Sequence, residues 1–125
     1  MPYDYERLTV AIEGKVAYVT ISAPPMNVMT NALFMEFNKL SSELKADDSL
    51  SVVVLKSADP DFFIAHFDVS AILERPSDFE PQRDAALKPF HLLGERFRTM
   101  NKVIIAQIEG RVGGGGSELC ASLDM

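Results

Sequence analysis

Four consecutive glycines constrain this chain more than any other feature. They stand in Gly110-Arg111-Val112-Gly113-Gly114-Gly115-Gly116-Ser117-Glu118-Leu119-Cys120. The run before them, Val103-Ile104-Ile105-Ala106-Gln107-Ile108, is short, β-branched and closed by a glycine, which predicts a buried strand. After them Ser117 suits an N-cap and Glu118 a first turn, which predicts a helix start. A strand, a glycine loop and a helix N-terminus together aim bare N–H groups at a ligand, and glycine lets that ligand come close. Spacing then separates the known loop chemistries. The dinucleotide fingerprint fails because its last glycine would fall on Glu118 or Leu119, and the phosphate loop fails for want of a lysine. The serine-hydrolase elbow begins at Gly115-Gly116-Ser117-Glu118 and ends wrongly at Leu119. Two readings stay open. One is a backbone oxyanion site with Glu118 as a nearby acid or base. The other is a loop that only permits tight strand–helix packing, with Glu118 as a helix-terminal charge.

A second anchor is Asp61-Phe62-Phe63-Ile64-Ala65-His66-Phe67-Asp68-Val69-Ser70-Ala71-Ile72. It follows Val52-Val53-Val54-Leu55, whose lack of polar alternation predicts a strand buried on both faces of a parallel sheet. Asp68 is the expected N-cap of a short helix carrying Ile72 and Leu73, which puts the Phe67 N–H just before a helix start. Earlier, alternation around a Glu13-Gly14-Lys15 turn predicts a hairpin with strands near 6–12 and 15–21. A stiff, Pro-rich loop runs from Ala23 to Met29. Thr30 or Asn31 then caps a helix whose Leu33, Phe34, Phe37, Leu40 and Leu44 face the core, with no cofactor box among them. Ala86, Phe90, Leu93, Phe97 and Met100 predict a second long helix to about Thr99. Lys88, Arg96, Arg98 and Lys102 are expected on its solvated side, and His91 is expected to have no role. Leu73 to Lys88, charged and carrying Pro76 and Pro81, is expected to be mobile.

Length and charge bound the function. A chain of 125 residues with 47% hydrophobic content is one small globular domain. A net charge of −6 argues against nucleic acid or an anionic membrane as the main partner. The apolar runs are too short to span a bilayer, and the N-terminus lacks a signal-peptide pattern. The single cysteine, Cys120, cannot form an internal disulfide; it fits a reducing cytoplasm and a buried apolar role. Without a Cys/His cluster at ligand spacing, no metal is expected.

Taken together, Ala65-His66-Phe67-Asp68 after a Phe, Glu109-Gly110 with its glycine run, and Glu118-Leu119 resemble the enoyl-CoA hydratase/isomerase (crotonase) family. Pro24-Pro25-Met26-Asn27-Val28-Met29 is similar to the family's early Pro-x-x-Asn segment, and the three segments keep its order and spacing. The resemblance implies an α/β fold, a ββα spiral with a mostly parallel sheet, of which residues 1–125 form the N-terminal part. The chain then looks truncated, with the second acid used by hydratases falling after Met125. The substrate implied is an acyl-CoA, with coenzyme A as part of it and no separate cofactor. Phe67 and Gly115 would donate N–H groups to the thioester oxygen, and Glu118, partly buried, would activate water or move a proton. Ala65 would offer its carbonyl to the adenine; His66, Asp68, Met26 and Gly114 would line the substrate. His66 departs from the pattern, because the family usually has glycine there; its backbone can still serve the loop if φ is compatible, since histidine tolerates the left-handed region better than most residues, and its imidazole either fills space, caps a strand or contacts the pantetheine or acyl group. Family habit implies a homotrimer or hexamer in the cytoplasm, with hydration of a 2-enoyl-CoA as the reaction. The alternatives are isomerisation, another crotonase-type reaction, or a non-catalytic acyl-CoA-binding fragment.

Overall fold

The computed structural model describes residues 2–75, 78, 80 and 86–125. Much of the predicted mobile stretch, including Pro76 and Pro81, lies outside these residues.

The hairpin forms from β1 (Leu8–Glu13) and β2 (Val16–Ile21), antiparallel with Leu8 opposite Ile21. Gly14 holds φ +61° at the first of two turn residues, a position that glycine fills without strain. After α1 (Asn31–Ala46) the chain returns as β3 (Val52–Ser57), parallel to β2. Next come β4 (Phe62–Ile64), α2 (Val69–Leu73) and α3 (Pro89–Thr99). Then β5 (Val103–Ala106) joins the far side of β3, also parallel. The sheet order is β1-β2-β3-β5. A separate parallel pair joins β4 to β6 (Arg111–Val112), and α4 (Gly115–Ala121) follows. The architecture is α/β with a mostly parallel main sheet, as expected.

One face of the sheet carries the core. Ala17, Val19, Ile21, Val53, Leu55 and Ile104 are buried with Leu33, Phe37, Leu40 and Leu44 of α1 and Leu93 and Phe97 of α3. Each large side chain removed from water contributes about 1.5–3 kcal/mol before entropy is counted. Thr30 caps α1 by accepting from Leu33 N–H at 3.2 Å. Arg96 is not on a solvated face; it ties α3 to α1 by donating to Asn38 Oδ1 and Ser41 Oγ, satisfying a fully buried serine.

Several boundaries and environments differ from expectation. Val52 and Val54 are only half-buried, so β3 is covered fully on one face. The strand at Val103 ends at Ala106, and Val103 and Ile108 are exposed. β5 is the outer strand, and residues 124 and 125 bond to it: the Asp124 N–H donates to Ile104 O and the Ala106 N–H to Met125 O. Ala86 precedes α3, which starts at Pro89 because proline fits the first helical position. Cys120 is half-buried rather than buried, and partial burial pushes its thiol pKa up.

Candidate active site

The site is built where two parallel strands end together. Phe62 pairs with Arg111 and Ile64 with Val112, so Ala65-His66-Phe67 and Gly113-Gly114-Gly115 emerge side by side. Arg111 N–H donates to Asp61 O at 2.8 Å and Gly113 N–H to Ile64 O at 3.1 Å, which locks the two loops in register. Glycine is required for that approach. A Cβ at Gly110 would stand 2.5 Å from the Asp61 carbonyl carbon, and one at Gly113 2.6 Å from Ala65 O. One at Gly116 would stand 2.8 Å from Ile64 Cβ, and one at Gly115 2.9 Å from Phe67 Cδ2.

The Pro-rich loop fixes the first of these loops from its other side. Met29 N–H donates to His66 O at 2.8 Å and Asp68 N–H donates to Met29 O at 3.0 Å. Extended backbone alternates its polar groups, so the Phe67 N–H turns away from Met29. Buried Asn27, at φ +54°, holds that loop together. It accepts from Ala23 N–H at 2.8 Å and donates to Ser57 Oγ at 2.7 Å and Phe63 O at 3.0 Å.

Each loop then opens a helix. Asp68 caps α2 as expected, accepting from Ser70 N–H at 3.0 Å. Ser117 does not cap α4: the cap is Gly114 at φ +49°, because only a glycine fits that conformation readily, and the helix starts two residues before Ser117. Gly115 is thereby the first helical residue, whose N–H has no partner within the helix. Among the described residues no acceptor takes either the Phe67 or the Gly115 N–H. Both residues line one cleft of about 440 Å³, together with His66, Gly114 and Glu118.

Glu118 reaches this cleft one helical turn after Gly114, its own N–H donating to Gly114 O at 3.1 Å. It is exposed, not partly buried. His66 does not adopt a positive φ, so the position needs no glycine. Its Nδ1–H donates to Phe67 O at 2.7 Å, which turns the ring over the exposed rim. Gly114 lies against it, since a Cβ there would be 3.5 Å from His66 Cβ. Asp68 is occupied as a cap, and neither it, Ala65 nor Met26 lines the clefts around Phe67.

Some residues at the site were not expected there. A second cleft of about 450 Å³ adjoins the first at Phe67 and is walled by Phe34 and Phe90. Phe90 stacks edge-on to Phe67, ring centres 5.4 Å apart, and Phe34 lies 6.1 Å beyond it. Arg75 sits over the Phe67 ring at 5.1 Å, and Arg75 and Lys88 line both clefts. His91, expected to have no role, lines the Glu118 cleft. Helical spacing could have placed Phe90 and His91 on adjoining faces; no sequence signal marked Arg75. Among the described residues no cluster of three or more His, Cys, Asp or Glu could hold a metal, and no helix is long and apolar enough to cross a membrane.

Two amides that have no acceptor among the described residues and a carboxylate thus border one cleft, where two parallel strands end. A family model for enoyl-CoA hydratase/isomerase matches residues 11–125, and the chain belongs to that family. Among curated proteins it is 30% identical to the short-chain-enoyl-CoA hydratase of Clostridium acetobutylicum, over 90% of this chain and 42% of that one. It is likewise 30% identical to the carnitinyl-CoA dehydratase of Proteus mirabilis, over 96% and 44%. The chain therefore spans under half the length of these relatives. A Streptomyces avermitilis protein designated provisionally as an enoyl-CoA hydratase superposes with a TM-score of 0.80 at 32% identity, covering 98% of this chain and 45% of that one. The enoyl-CoA hydratase of Bacillus anthracis, 20% identical, shares the fold at 0.80 over 96% and 46%.

Proposed function

We propose that this chain handles an acyl-CoA thioester and that the reaction is hydration of a 2-enoyl-CoA. The observation that carries the reading is the meeting of Phe67 and Gly115, two N–H groups without acceptors among the described residues, beside Glu118 in one cleft. The two amides receive the charge that develops on the thioester oxygen, and losing one such donor costs about 3–4 kcal/mol of barrier. Glu118 holds the water or moves the proton. Its exposure leaves it open to a ligand approaching along α4. The aromatic cleft past Phe67 takes the acyl chain. The Ala65 carbonyl meets the adenine, and His66, Gly114, Asp68 and Met26 follow the coenzyme. Coenzyme A enters only as part of the substrate, and the working assembly is a homotrimer or hexamer in the cytoplasm. Hydration is preferred to isomerisation because the named relatives add or remove water across an acyl-CoA. A second reading, acyl-CoA binding without turnover, is favoured by the exposure of Glu118.

Crotonyl-CoA separates these. Hydration removes the conjugated thioester absorbance, and Glu118→Gln is expected to slow that loss by orders of magnitude with coenzyme binding unchanged. Binding without turnover would support the second reading. Equal rates in the two proteins would remove Glu118 from the mechanism.

A further inference from the structure

Helices α3 and α4 touch where a side chain is missing. A Cβ on Gly94 would stand 2.7 Å from Ser122 Oγ, so glycine sets how closely the helices approach. His91 precedes Gly94 by three residues and Glu118 precedes Ser122 by four. Such spacings share a helix face, so His91 lies on the Gly94 side of α3 and Glu118 on the Ser122 side of α4. The cleft linings agree. Both residues border the cleft of about 230 Å³ between the helices, and both border the larger cleft that holds Phe67 and Gly115. Among the described residues, neither the His91 ring nitrogens nor the Glu118 carboxylate has a hydrogen-bond or ion-pair partner.

We propose that His91 is a second proton-moving residue of this site, paired with Glu118; the inference rests on the acyl-CoA reading above. A neutral imidazole takes the proton from the carbon next to the thioester carbonyl. The C–H bonding pair becomes the C=C of an enolate, and the carbonyl pair moves onto oxygen, where the Phe67 and Gly115 amides face it. The same carbon then recovers a proton from the imidazolium or from solvent, so no oxidant or reductant is involved. Glu118 places a carboxylate on the wall of the same cleft as that imidazolium. The other charged or titratable groups bordering the clefts beside His91 are Glu95 on its own helix, Lys88 just before that helix, His66 on the loop before α2, and Arg75 after it.

The test uses butyryl-CoA, which has α-protons and no double bond to hydrate. The chain is incubated with it in D2O, and loss of the α-proton resonance is followed by NMR while affinity is measured separately. The wild-type chain is expected to exchange these protons. His91→Gln is expected to slow exchange about 100-fold, within the usual span for a general base, while binding as before. Exchange at the wild-type rate in His91→Gln overturns the inference, as does a wild type that binds but does not exchange. Failure of the acyl-CoA reading shows differently, as no binding of butyryl-CoA by the wild-type chain, and it overturns both.

Discussion

Gly110 faces backbone, not side chain: its missing Cβ would lie 2.5–2.7 Å from Asp61 and Phe62 main-chain atoms. Backbone cannot rotate aside, so Gly110→Ala must push β6 off β4. We expect a loss of about 1–3 kcal/mol or more, typical of overpacking, read as a fall in midpoint on urea unfolding. Ala at Gly14 meets open space and suffers only the positive φ, so it should cost less. Asn27 gives a third residue-scale expectation. Asn27→Ala strands the Ala23 N–H and the Phe63 carbonyl in a buried site, which should cost about 2–4 kcal/mol by the same measurement. The glycine run was legible as a special loop, and the sequence left packing and catalysis open as its purpose. In the structure Gly110, Gly113 and Gly116 make room for the segment Asp61 to Ala65, whereas Gly114 supplies the positive φ from which α4 starts at Gly115.

Helix α1 is tied to the N-terminal segment by carboxylates. Glu43 accepts from Tyr3 N–H at 2.7 Å and from the Tyr5 hydroxyl, and Asp47 accepts from the Tyr3 hydroxyl at 2.6 Å. Burial opposes ionisation of Glu43, but the hydrogen bonds from Tyr5 and the Tyr3 N–H outweigh it, so its carboxyl titrates below the usual range. Burial, and then the bond to Glu43, pushes the Tyr5 hydroxyl up. A carboxyl with a lowered folded pKa stabilises fully above its unfolded value near ~4.3 and ceases to do so as pH falls through the folded value. Glu43→Gln should therefore lower Tm at pH 7, with the difference from wild type shrinking as pH falls below about 4.3, where the unfolded carboxyl takes up its proton first and the folded one follows at lower pH. A constant difference down to pH 3 in thermal melts would contradict it. At this scale periodicity found α1, the hairpin and α3 nearly to their ends. It failed where tertiary context decides. Gly114 displaced Ser117 as the cap because the loop had to turn through a positive φ, and Val103 lies exposed on an outer strand. Arg96 read as solvated because its partners, Asn38 and Ser41, lie more than fifty residues away in sequence.

The whole molecule has a dressed face and a bare one. Val16, Val52 and Val103 form one row across the sheet, and Tyr18, Val54 and Ile105 the next, all opposite the buried core. These six are half-buried, apart from Val103 at 43% exposure, so an apolar stripe meets water. Such a stripe is expected to bind an apolar fluorescent dye and to drive self-association. Val103→Lys with Ile105→Lys should reduce both, as seen by dye fluorescence and light scattering. The opposite side holds the site, and its central claim concerns two amides. Backbone amide proton shifts of Phe67 and Gly115 test it most directly, recorded as crotonyl-CoA or free coenzyme A is added. Both resonances should move downfield with the thioester and stay in place with free coenzyme, which lacks the carbonyl. Stationary resonances, or equal movement with the two ligands, would contradict the account.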